Sequence, residues 1–319
     1  MQGSLPSFFR PFSSRTPAFL ERQAFRKARN AKIEIPEIPA SEKLAPFPAL
    51  ERVQPLRGSV RSGLLGYKIG QTGLWDEWGA RHNITVVKVH DCYVTGMRTI
   101  PKDGYEAVQL SCGVKPMSEV KHVELGTWLK HGILPKQDQA EFRVSSENLL
   151  PIGLKMSVRH FVPGQWAFVS GFTKAKGYMG ARKAWSLSGQ RATHGTTKGV
   201  NQMGCVGQGK GIGKVWKFKK MDGHRGDDPR VVNVQVFRTE STRGLLFLKG
   251  CIPGEKGSLV KISDARGKTA MKNRHIRLPF PTFVPQQGVE YPVTVQQPPL
   301  DKDPFLFPDR QIKEKRVKA

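Results

Sequence analysis

Acidic side chains are scarce in this 319-residue sequence, where 26 Asp and Glu face 52 Lys and Arg for a formal net charge of +26. Such an imbalance makes a polyanion the default partner. Long apolar runs are missing too. A membrane helix needs about 18 consecutive apolar residues, whereas a typical run here is Leu245 to Leu248, so no membrane span is expected. The four cysteines, Cys92, Cys112, Cys205 and Cys251, form no CxxC pair. That argues against a zinc knuckle or a disulfide framework and predicts reduced thiols in an intracellular compartment. Hydrophobic residues make up 38%, below the roughly 45–50% of globular domains on a scale that also counts Gly. With 33 Gly and 23 Pro, the composition predicts a compact core carrying long polar extensions, built as one large domain or two small ones.

Residues 1–32 hold Arg10, Arg15, Arg22, Arg26, Lys27, Arg29 and Lys32 against Glu21, with phenylalanines and serines between. Two readings stand side by side: a mitochondrial or chloroplast targeting segment, or a basic RNA-binding arm in which Arg22, Arg26 and Arg29 share one side of a short helix. Residues 33–59 are Pro-rich and read as an extended linker. From residue 60 the pattern changes to short alternating strands. Gly63 to Gly79 suggests a hairpin turning at Gly70 to Gly73. HNITVVKVHDCYV and Tyr105 to Cys112 alternate as half-buried strands, and further strands are expected at Phe142 to Val144, Trp166 to Phe172, Val231 to Glu240, and twice around a Pro253-Gly254 turn in Gly244 to Ala265. A short helix is expected within 117–131. Many short strands separated by Gly turns favour a mainly β fold closed as a barrel over 60–265, followed by an extended tail over 266–319.

The anomaly is the stretch from Gly171 to Arg225, with twelve Lys and Arg, twelve Gly and one acid, Asp222. Its glycines cannot build a core and its cations repel one another, so a long insert of this kind has to be functional and ordered by an anionic partner. The cations are Lys174, Lys176, Arg182, Lys183, Arg191, Lys198, Lys210, Lys214, Lys217, Lys219, Lys220 and Arg225. Interleaved with them are Tyr178, Trp185, Trp216 and Phe218, so that cations neutralise phosphates while rings stack on unpaired bases. Of these rings Tyr178, Trp185 and Trp216 are the candidate contacts, joined by Gln208 at the tip. The bland alternative is a charged surface with its aromatics buried in the barrel, and for Trp216 it is the stronger competitor, because the loop there re-enters the core.

Two enzymatic readings fail on spacing. GCVGQGKGIGKV (Gly204 to Val215) has Gln208 where a phosphate-binding loop needs its first glycine and Val215 where it needs Ser or Thr, and Ile212 breaks G-x-G-x-x-G. His194 and His224 have the chemistry of acid-base residues, but no Asp or Glu lies between Gly171 and Met221 to orient them. Hydrogen bonding to RNA is the expected role of both. No catalytic residue, metal, cofactor or small-molecule substrate is expected.

The glycine-led strands GLLGYKIGQTGLWDEWG, then KGYMGARKAW with ATHGTTKG, then GCVGQGKGIGKVWKFKKMDGHRG, then LLFLKGCIPGEKGSLVKI occur in this order and spacing. Together they resemble the universal large-subunit ribosomal protein family L-three, over about Val60 to Asp264, and LPFPTF (Leu278 to Phe283) looks like its mitochondrial branch. The resemblance implies a closed six-stranded barrel of the translation-factor type. It also implies a loop over 171–225 that reaches through large-subunit rRNA toward the peptidyl transferase centre without being catalytic, with neighbouring large-subunit proteins as further partners. The chain departs from the family at Lys210, where bacterial members carry a methylatable Gln, and at Ile212, where a proline is usual. The implied location is the mitochondrion, with the chloroplast as the alternative. The competing readings are an RNA-modifying or RNA-processing enzyme on a barrel scaffold and a free GTPase factor, the latter lacking its phosphate-binding loop.

Overall fold

The computed structural model describes residues 58–285, 289–299 and 305. The basic segment 1–32, nearly all of the linker 33–59 and the end of the tail lie outside the described residues.

Alternation sets the architecture, which is mainly β. Six strands carry apolar residues at every second position and pair antiparallel: β1 (Leu64–Trp75), β2 (Arg81–Lys88), β6 (Trp166–Phe172), β9 (Pro229–Glu240), β10 (Leu245–Lys249) and β11 (Leu259–Asp264). β1 lies between β2 and β11, β2 pairs with β10, β10 with β9, β9 with β6, and β6 with β11, so the pairing returns to its start as a ring of six. Leu64, Val87, Val169, Val234, Val236, Leu246, Leu248, Val260 and Ile262 are buried in it. Each such side chain contributes about 1.5–3 kcal/mol through removal from water. A further strand, β12 (Thr294–Gln296), adds the tail to β9.

HNITVVKVHDCYV, expected as one strand, is cut in two. Asp91 adopts a left-handed φ of 42°, and the chain leaves β2 to begin a second sheet of β3 (Tyr93–Arg98), β4 (Ala107–Cys112) and β5 (Asp138–Arg143). Val94, Leu110 and Phe142 of this sheet join Leu64, Val87 and Ile262 of the ring in one hydrophobic cluster, so the two sheets share a core. The strand expected at Phe142 to Val144 is therefore β5, which starts earlier. The helix expected within 117–131 covers His122–Lys130, after a 3-10 turn at Met117–Glu119.

The hairpin turn is displaced as well. β1 runs on through Gly70 and Gly73, and the reversal occurs at Asp76 to Ala80, where Asp76 N donates to Ala80 O at 2.9 Å. Gly70 sits at a register shift, and a Cβ on Gly73 would come within 2.8 Å of Arg81 Nε. These glycines serve a bulge and a close approach inside the strand rather than a turn.

A buried polar clasp ties the ends of the described chain to the ring. The Arg61 guanidinium, with only 3% of its side chain exposed, makes two 2.8 Å bonds to the Asp264 carboxylate and donates also to the carbonyl of Pro279. Gln165 Nε2 donates to the same carboxylate. His160, fully buried, lies 2.9 Å through Nε2 from Ser62 O and 3.0 Å through Nδ1 from Thr282 Oγ1. A carbonyl can only accept, so Nε2 carries the proton and Nδ1 accepts from the threonine hydroxyl. Burial, and the neighbouring Arg61 charge after it, push the imidazole down to about 3. Burial pushes Asp264 up, but the Arg61 bonds and charge outweigh it and hold the carboxyl below its usual range.

Candidate nucleic-acid interface

The insert leaves and re-enters the ring on adjacent strands, because β6 and β9 pair through to Gly171 opposite Arg230 and Phe172 opposite Pro229. A stem continues from there. Thr173 N donates to Asp228 O at 3.0 Å, Asp227 N returns to Thr173 O at 3.2 Å, and Lys176 N donates to Arg225 O at 2.8 Å. Gly226 has φ 79°, and a Cβ there would lie 1.9 Å from Lys174 O, so only glycine lets the two sides of the stem meet. Beyond it, β7 (Gly177–Met179) pairs with β8 (Gly223–Arg225).

The segment expected to lack structure thus has local order of its own. A short helix, Ala181–Trp185, begins with Ala181 N donating to the Asp222 carboxylate. The sole acid between Gly171 and Arg225 is therefore spent on a backbone amide. Trp185 Nε1 donates to Met221 O at 2.9 Å, and the Arg225 guanidinium lies 4.3 Å above the Trp185 ring. Tyr178 meets His224 edge to face at 5.7 Å. Farther out, Arg182 Nη1 donates to Asn201 Oδ1 at 2.8 Å, and 3-10 turns form at Lys198–Asn201 and Gly209–Gly211.

All the candidate residues are exposed except Arg225, which is half-buried. The structure gathers Tyr178, Trp185, His224 and Arg225 at the stem. Lys174 and Lys176 lie at its base, and Arg182 and Lys183 on the short helix. Arg191, His194 and Lys198 follow on one outer stretch, with His194 at φ 63°. Gln208 and Lys210 lie at the Gly209–Gly211 turn, and Lys214, Trp216, Lys217, Lys219 and Lys220 on the irregular segment that returns to β8. Trp216 is 59% exposed, with Lys214 Nζ 4.4 Å over its ring. It does not re-enter the core. With Tyr178 65% exposed, the alternative of aromatics buried in the barrel has no support for these rings.

Gly204 to Val215 has neither the preceding strand nor the following helix of a phosphate-binding loop. His194 Nδ1 lies 3.1 Å from Thr193 Oγ1, and neither it nor His224 is paired with a carboxylate among the described residues. No group of His, Cys, Asp and Glu among the described residues could hold a metal ion, and no described helix is long and apolar enough to cross a membrane.

Sequence reasoning gave too little weight to two features. Phe218 is wholly exposed between lysines. The segment after the ring carries Arg266, Lys268, Lys272, Arg274 and Arg277 on the surface, with no acid from Ala265 to Val289. It is anchored to β6 by Asn273, whose side chain bonds both N and O of Trp166 at 2.8 and 2.9 Å. The missing acids were the readable signal there.

Comparison with known proteins fits this geometry. The family described as Ribosomal protein L3 matches residues 147–244, from the approach to β6 to the end of β9 and including the whole insert. The large ribosomal subunit protein uL3m of Arabidopsis thaliana is 39% identical over 227 residues, 71% of this chain and 69% of the relative. The chain belongs to the ribosomal protein L3 family. Within this L3 chain, the matched residues combine ring strands that bury side chains with an insert that exposes them.

Proposed function

We propose that this L3 family member is a structural, non-enzymatic constituent of the mitochondrial large ribosomal subunit, and that its insert binds and shapes large-subunit rRNA. The observation that carries this reading is the division of labour between ring and insert. β6 and β9 pair directly, so the ring does not use the insert for its core, and the insert turns its cations and rings outward. We take the ring to be the closed translation-factor-type barrel, in a domain of residues 60–265, with the insert over 171–225 reaching toward the peptidyl transferase centre. Residues 1–32 serve import, contact RNA, or both, 33–59 form a linker, and 266–319 an extended tail that adds cations. Neighbouring large-subunit proteins complete the environment. The name of the Arabidopsis relative supports the ribosomal assignment. The runner-up, an RNA-modifying enzyme, lacks a paired acid and base in the insert.

Co-sedimentation tests the proposal. Tagged full-length protein expressed in its own cells should migrate with mitochondrial large subunits through a high-salt gradient. Release into the soluble fraction after that wash would mark a transient factor or enzyme and overturn the assignment.

A further inference from the structure

Lys219 N donates to Trp216 O at 3.3 Å, closing a four-residue turn whose central residues are Lys217 and Phe218. Phe218 has φ 63°, while Lys217 is not among the residues with positive φ. A turn with positive φ at its third position alone calls for Gly or Asn there, since a side chain in the left-handed region crowds its own backbone. A bulky aromatic in that place needs something to offset the strain. Nothing inside the described protein does so, because the Phe218 side chain is 100% exposed. Trp216, two residues away, differs: its ring already faces Lys214 Nζ.

The surroundings define what Phe218 can meet. Lys217, Lys219 and Lys220 flank it and are exposed, and the nearest acid, Asp222, is engaged by Ala181 N. A bare ring amid three cations suits a ligand offering an uncharged flat face beside negative charge. Bases inside a duplex have their faces covered by neighbours, whereas an unpaired base has a free one. We propose that Phe218 is the stacking platform for one unpaired rRNA nucleobase, held at a strained turn so that the ring projects clear of the protein while its flanking lysines neutralise the adjoining phosphates. This rests on the rRNA-binding reading above and assigns it a residue.

The test measures binding of full-length protein to the large-subunit rRNA transcript across a salt series. Stacking on an aromatic ring is worth about 5- to 150-fold in affinity per base. Phe218→Gly should weaken binding by a factor in that range without changing the slope of log K against log salt, and Phe218→Trp should bind like wild type. Changing Lys217, Lys219 and Lys220 together to Ala should make the slope shallower by about 2 to 3. Phe218→Gly should also leave the melting temperature of the free protein undiminished, because the ring packs on nothing; a clear drop would reveal a structural role and overturn the proposal. Unchanged affinity in Phe218→Gly with a weakened lysine variant would remove Phe218 and leave the rRNA reading standing. Wild-type affinity in both variants would take the whole Trp216–Lys219 turn out of the interface and overturn the proposal, while the rRNA reading would still stand or fall by co-sedimentation.

Discussion

His160 illustrates how one side chain links solution conditions to the integrity of the whole clasp. Its imidazole is neutral in the folded protein at about 3 against 6.5 when free. The unfolded chain therefore binds a proton that the folded one refuses whenever the pH lies between those values. Stability is intact above about 6.5 and is lost as the pH falls toward 3. Between pH 7.5 and 5 the loss should be about 2 kcal/mol, from 1.36 kcal/mol per unit over the interval below 6.5. Asp264 acts in the same direction at lower pH, because its carboxyl is held down by Arg61. Urea midpoints at the two pH values should show this loss in the wild type and a flatter dependence in His160→Gln, whose amide can still donate to Ser62 O and accept from Thr282. An equal pH dependence in both proteins would assign the effect to other groups.

At the scale of elements, β9 offers the sharpest check on the ring. Val234 is 3% exposed and stands opposite Ala167 of β6. Val234→Asp places an unpaired carboxylate among apolar neighbours and should destabilise by several kcal/mol or abolish folding. A soluble variant with wild-type cooperative melting would show that this face of β9 is not core. β9 was legible in the sequence because Val232, Val234 and Val236 alternate with Asn233 and Gln235, whereas β6 and β10 were legible as short apolar runs bounded by Gly, Ser or Lys. β5 was only half legible. In DQAEFR the inward positions are just Ala140 and Phe142, too few to set a period against three charged residues. The break between β2 and β3 falls on Asp91, a turn-forming residue, and was hidden because no Gly or Pro accompanies it and the apolar Val87, Val89 and Tyr93, Val94 on either side suggest one continuous strand. The β1 turn was misplaced because Gly70 and Gly73 are read as turn residues unless the partner strand is known. The exposed basic insert was legible through charge, glycine and ring content, which need no tertiary information. The strain at Phe218 was not, since φ is a property of the turn rather than of the residue type.

For the molecule as a whole, ring and insert should be separable. Replacing residues 181–221 with a short Gly-Ser turn keeps β7 and β8 together and removes nine of the twelve insert cations, leaving Lys174, Lys176 and Arg225. The shortened protein should melt cooperatively near the wild-type temperature. If six cations of the insert each meet a phosphate, its salt slope should be about 4 to 5 shallower than that of the full chain. An unchanged slope would move the main rRNA surface to the tails, where Arg266 to Arg277 is the next cationic strip. The seam between β1 and β11 bears on a different matter, the timing of biosynthesis. β1 is among the first ring strands to be translated and β11 is the last, with Leu64 opposite Ile262. At about 5–20 residues per second, the roughly 200 residues between them take about 10–40 s to make. Throughout that interval β1 lacks its β11 partner, and the edge that will later take Leu259–Asp264 is open to water and to pairing with another chain.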